Sequence, residues 1–196
     1  VIVLGIDPSY TCTGFAVLDI AIDDGRLVAG RERVLRTGTA SAPKRPGAND
    51  EPKRRELIAK ACMRWADEWT PELIAIEEPC RGVNAATDAM LQRLNATVTD
   101  ALTAAGWTLV QVNNSKRKRA LHLHGRTSAE LKASAIRVVS DRYGVLTGGD
   151  GGRLTSDEAD AVGHALAGTQ QWLESQKPTV QQLRFDIKRG RARARR

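Results

Sequence analysis

The chain has 196 residues, 41% hydrophobic and 27% charged, with a formal net charge of +7. That composition is ordinary for a globular domain and excludes low-complexity and collagen-like chains. No apolar run approaches the roughly 18–20 residues of a membrane span, and residues 1–6 lack the length and basic start of a signal peptide.

The charge is unevenly spread. Residues 177–196 hold eight Lys or Arg against Asp186 alone, which accounts for the whole net charge and leaves 22 basic and 22 acidic residues in 1–176. The chain therefore divides into a neutral domain over 1–176 and a basic tail over 177–196. The ending "KRGRARARR" reads as a flexible polycationic arm that neutralises phosphates without reading sequence, or as a solubilising extension. Its candidate contacts are Lys188, Arg189, Arg191, Arg193, Arg195 and Arg196. The three cysteines, Cys12, Cys62 and Cys80, are odd in number and lack metal-site spacing. They read as small core residues in a reducing compartment, which makes the cytoplasm the expected location.

In chain order, apolar residues over 1–7 predict a buried strand, and "TGFAVLD" (13–19) predicts a second. Residues 26–38 offer a third, joined by short links that suit antiparallel hairpins. A Pro- and Gly-bearing loop follows over 41–52, then a helix over 51–69. "ELIAIEE" (72–78) has the near-continuous apolar run of a strand covered on both faces. A long helix over 84–105 carries Met90, Leu94, Val98 and Leu102 on one stripe, and 107–112 is a fifth strand. "SKRKR" (115–119) is an internal basic cluster, with a solvated loop as its plain explanation. A helix over 127–144 opens on a capping signature, a glycine-rich loop spans 144–153, and a final helix runs over 155–173. The pattern predicts an α/β fold with a mixed sheet flanked by helices.

Carboxylates fall at particular places on this map. Asp7 ends the first strand, and Glu77 ends the fourth with Glu78 beside it. Asp157 and Asp160 are three apart near the start of the last helix, hence on one face. Taken singly, each has a structural explanation: a solvated strand end, or an acid favouring a helix N-terminus. In an open sheet, however, the carboxyl ends of neighbouring parallel strands share one crevice. If the first and fourth strands are neighbours, Asp7 and Glu77 converge there, and the last helix can add Asp157 and Asp160. So many carboxylates repel one another unless a cation offsets them. Hard oxygen ligands at this density suit Mg²⁺ or Mn²⁺. Two such ions about 3.5–4 Å apart bracket a scissile phosphate.

"GIDPSYTCTGFAVLD", "AIEEPCRGVNAATDAMLQRLNATV", "GRTSAELKASAI" and "SDEADAVGHAL" occur in that order along the chain. Together they resemble the RuvC-type Holliday junction resolvases of the ribonuclease H-like superfamily. The resemblance implies a five-stranded mixed sheet, three strands antiparallel and the others parallel, flanked by helices. It implies Asp7, Glu77, Asp157 and Asp160 as catalytic metal ligands for two Mg²⁺ or Mn²⁺ ions. It also implies a homodimer that cuts two strands of like polarity near a four-way DNA junction.

Lys132 matches a family lysine near the scissile phosphate, with an exposed helix position as the alternative. Any of Lys116, Arg117, Lys118 and Arg119 could stand for another basic position, because extra residues intervene. His164 lies one turn beyond Asp160 on the same helical face, so it is a candidate for metal binding or water activation, or a structural helix histidine. His122 and His124 are not expected to be ligands, and Asp19 has no assigned role.

The pattern departs from the family at Cys80, where an aromatic wedge is expected. Arg81 beside it could contact phosphate. This departure and the basic tail point to activity on branched DNA beyond junctions, including flaps and forks. Two other readings use the same residues. A DNA-binding module could keep the fold without catalysis, and the first strand pair also resembles the phosphate loop of actin-like ATPases and sugar kinases. The latter need two lobes and leave the Asp-x-x-Asp helix unexplained.

Overall fold

The computed structural model describes residues 1–42, 50–79, 84–144 and 151–176. Five strands form one sheet in the order β5-β2-β1-β6-β7. They are β1 (Ile2–Asp7), β2 (Thr13–Asp19), β5 (Arg33–Ala40), β6 (Leu73–Glu77) and β7 (Leu109–Val112). β2 pairs antiparallel with both β1 and β5, whereas β6 runs parallel to β1 and β7 parallel to β6. This is the expected mixed sheet. β3 (Ile22–Asp23) and β4 (Arg26–Leu27) form a separate small hairpin.

The strand expected over 26–38 is thereby corrected. Asp24 and Gly25 both adopt positive φ, 45° and 67°, the conformation a two-residue hairpin turn demands. Gly30 at φ 76° then interrupts the chain before β5 begins. A second difference concerns 115–119, which is not a loop. Asn113 accepts a hydrogen bond from the Lys116 amide and caps the short helix α3 (Asn114–Ala120).

The helices are α1 (Glu51–Trp69), α2 (Ala85–Ala104), α3, α4 (Ser128–Tyr143) and α5 (Ser156–Gln176). The two-residue period of the strands divides them between two cores. Leu4, Ile6, Phe15, Val17, Ile74 and Ile76 pack on α1 and α2, where Phe15 stacks on Trp65 with ring centroids 4.9 Å apart. Val3, Ala16, Leu18 and Leu73 face α4 and α5 instead. Continuing that alternation, Asp7 and Glu77 belong to the α5 face.

α5 lies unusually deep, with every residue from Glu158 to Thr169 buried. Its backbone rests directly on the sheet. A Cβ at Gly5 would lie 2.0 Å from the Ala161 carbonyl oxygen, and one at Gly14 would lie 2.0 Å from that of Asp157. Only glycine admits such an approach at these two positions.

Candidate metal centre

Asp7 and Glu77 stand side by side because the strands carrying them are hydrogen-bonded neighbours in register. Ile6 pairs with Ile76, so the next residue of each strand reaches the same sheet edge. Asp19, at the far end of β2, pairs with Ile2 and is remote from that edge. The α5 helix crosses the edge at its first turns. Thr155 and Glu158 form a reciprocal cap there: the Glu158 carboxylate accepts from the Thr155 amide at 2.8 Å, and Thr155 Oγ1 accepts from the Glu158 amide at 3.2 Å. This fixes the backbone on either side of Asp157.

Two turns beyond Asp157 along α5, His164 is wholly buried. Ligand atoms of Asp7, Glu77 and His164 all lie within 4.8 Å of one another, with His164 Nε2 3.7 Å from Asp7 Oδ1. Asp160 forms a buried ion pair with Arg117, and Asp157 is half-buried at the same edge. The Cys12 thiol hydrogen-bonds to Asp157, and burial together with that carboxylate pushes the thiol up to about 12.

The electrostatics follow from this crowding. Burial, then the charge of Asp160, pushes the Asp7 carboxyl up to about 7. Burial and Asp7 push Glu77 up to about 7, and burial raises Asp160 against the opposing pull of Arg117. Burial drives His164 down to about 4, so its ring is neutral and offers a lone pair. Both His164 ring nitrogens are buried without a hydrogen-bond partner. An orphaned imidazole of this kind is costly, and a cation held jointly with the two carboxylates would satisfy it. The donor set, two carboxylate oxygens and a neutral imidazole, fits a divalent cation.

Over 195 aligned residues the chain is 29% identical to the crossover junction endodeoxyribonuclease RuvC of Burkholderia cenocepacia, covering 96% of this chain and 97% of that protein. The protein of the same name from Delftia acidovorans is 29% identical over 164 residues, 84% of this chain and 81% of its own. The chain is a homologue of the RuvC endonucleases. No family model matches it. Among solved structures, Thermus thermophilus RuvC in complex with a Holliday junction substrate superposes with a TM-score of 0.67 at 21% identity, covering 91% of this chain and 100% of that one. The yeast mitochondrial Holliday junction resolvase Ydc2 gives 0.58 at 13% identity, over 89% of this chain and 80% of its own. The fold of the RuvC homologue is accordingly ribonuclease H-like.

The basic residues separate sharply. Of the four in the 116–119 run, Arg117 alone is buried and reaches an acid. Lys116 is exposed and donates to Gln171 Oε1 at 2.7 Å, Lys118 is half-buried and Arg119 is exposed. Lys132 is exposed on α4, and the guanidinium acting on Asp7, Glu77 and Asp160 is that of Arg117. His122 and His124 are exposed and stand outside the Asp7–Glu77–His164 group. Cys80, Arg81 and the basic residues of 177–196 lie outside the described residues.

Two asparagines complete the site of the RuvC homologue and escaped sequence reasoning. Asn114 Nδ2 donates to Glu77 Oε1 at 2.9 Å, and Asn95 Nδ2 donates to the Glu77 carbonyl at 2.6 Å. Asn95 is buried in the middle of α2, where asparagine is disfavoured unless it finds a partner. That mismatch was the available signal. For Asn114 the signal was the Asn-Asn pair ahead of a basic run, a helix start.

Proposed function

We propose that this RuvC homologue is a structure-selective endodeoxyribonuclease that resolves four-way DNA junctions by metal-dependent hydrolysis of phosphodiester bonds. The observation that carries this reading is the meeting of Asp7, Glu77 and a buried, unpartnered His164 within 4.8 Å at one sheet edge, beside Asp160 and Asp157. The likeness to RuvC proteins over nearly the whole chain supports junctions as the substrate.

Asp7, Glu77 and His164 would hold one Mg²⁺ or Mn²⁺ ion, and Asp160 with Asp157 would hold a second. When bound, the ions polarise the scissile phosphate, lower the pKa of a bound water and stabilise the departing 3′ oxygen. The chain's own residues prepare the place. Asn114 orients the Glu77 carboxylate, and the low pKa of His164 keeps its ring available as a ligand. The exposed Lys116, Arg119 and Lys132, with Lys118, would contact the DNA backbone, which positions the duplex without reading sequence.

The nuclease domain covers 1–176, and the tail over 177–196 adds sequence-independent affinity. Arg81 would serve the strand near the crossover. A homodimer matches the two-fold character of paired cuts. Cys80, in place of an aromatic wedge, together with the tail supports activity on flaps and forks as well as junctions. Among the described residues no helix is long and apolar enough to cross a membrane; we place the protein in the cytoplasm, with its DNA.

The test is cleavage of a synthetic four-way junction, a flap and a fork in Mg²⁺ or Mn²⁺ by wild type, Asp7→Asn and Asp160→Asn. Wild type alone should cut, and only with metal. Equal cutting by all three proteins would overturn the ligand assignment, and negligible flap and fork cleavage would overturn the broader substrate range.

A further inference from the structure

Arg117 is placed where a surface cation would not be. It is buried, it pairs with Asp160, and its charge also acts on Asp7 and Glu77. Its stem crosses α5 at Gly163, where a Cβ would lie 2.8 Å from Arg117 Cγ. Gly163 thus opens the path by which the guanidinium reaches Asp160, one turn back along the helix. The guanidinium is nevertheless incompletely bonded: Nε is buried with no hydrogen-bond partner. Charge rather than a full set of hydrogen bonds holds it. Asp7, Glu77 and His164 form their trio without it. The acid cluster therefore has two unlike halves, one ready for a cation and one already supplied with a tethered cation.

Resting on the metal-dependent reading above, we propose that Arg117 stands in for the second metal ion. The protein alone takes up one divalent ion, at Asp7, Glu77 and His164, and completes the pair only when Arg117 leaves Asp160. A guanidinium and a divalent ion cannot share Asp160 in a buried site without strong repulsion. DNA provides the competing partner, because a phosphodiester matches the planar fork of arginine and carries the charge that Asp160 would lose. α3 is suited to deliver it, since Lys116 and Arg119 are exposed on that same short helix. Full metal loading is thereby tied to the presence of substrate.

The test is a calorimetric Mn²⁺ titration without DNA, comparing wild type, Arg117→Lys and Arg117→Gln, with Mn²⁺ stoichiometry checked by electron paramagnetic resonance. Wild type and Arg117→Lys should bind one ion tightly, whereas Arg117→Gln should bind two, or bind the second at least tenfold more tightly than wild type does. Addition of a non-hydrolysable four-way junction to wild type should raise its stoichiometry from one to two, a readout that does not depend on any variant folding. Two ions bound equally by wild type and Arg117→Gln without DNA would overturn the proposal and leave the metal reading intact. No Mn²⁺ binding by any of them, with or without the junction, would overturn both.

Discussion

At the residue scale, the carboxylates proposed as metal ligands hold their protons up to unusually high pH. Asp7 and Glu77 are both pushed up to about 7, so below that pH bound protons compete with metal. The Mn²⁺-induced rise in melting temperature should therefore be larger at pH 8 than at pH 6, with affinity falling about tenfold per pH unit for each proton displaced. Paired thermal melts at the two pH values check this.

Without metal the sign reverses. Raised carboxyl pKa values stabilise the folded state at low pH, and that contribution is lost as pH rises from about 4 to about 7. His164, driven down to about 4, acts oppositely, its contribution present above about 6.5 and lost as pH falls through about 4. With Asp160 raised as well, three acids against one histidine leave a net decline toward neutrality from this site, which saturating Mn²⁺ should offset. Asn114→Ala removes the donor that orients Glu77. It should weaken Mn²⁺ binding about 10- to 100-fold with an unchanged circular dichroism spectrum, as a titration would show.

At the element scale the site depends on how closely α5 approaches the sheet. Gly14 sits opposite Asp7 in the β1–β2 ladder and beneath the Asp157 carbonyl. Gly14→Ala has to push α5 outward, at a cost of about 1–3 kcal/mol. It should lower the urea midpoint and, because the displaced turn carries Asp157, weaken uptake of the second ion in the presence of a non-hydrolysable junction. The matched control is Gly106→Ala, at a glycine with nothing within 4 Å of an added Cβ but a φ of 88°. It should show backbone strain alone and keep wild-type metal affinity. Denaturation and titration of both variants separate the two effects.

At the scale of the whole molecule, residues 1–176 are charge-neutral and residues 177–196 carry the whole net charge. Removal of residues 184–196 takes away seven basic side chains. It should weaken junction binding and reduce the log–log salt slope by roughly 0.7–0.9 for each phosphate that the tail neutralises, while single-turnover cleavage by pre-bound enzyme stays within about twofold. Binding measured across a salt series, beside single-turnover kinetics, tests this.

Much of this was legible in the residues alone, for a definite reason. Strand alternation and helical spacing are local properties of the covalent chain. They set Asp7 and Glu77 at strand ends on one face and put Asp157, Asp160 and His164 along one stripe of a helix. The tail's charge is likewise a property of composition. The short α3 shows no apolar period, because residues 116–119 at its centre are all charged; its signal in the sequence is the Asn113 cap. The β3–β4 hairpin was hidden by a run that reads as one strand until Asp24 and Gly25 turn it.

What only the tertiary structure decided depends on which segments meet. The pairing of β1 with β6 brings the two carboxylates together, and glycines where α5 meets the sheet let the helix acids reach them. Among four adjacent basic residues, the docking of α3 on α5 buries Arg117 against Asp160 and leaves Lys116 and Arg119 in solvent. No spacing rule distinguishes those four side chains, because what separates them is the surface that another element presents to each.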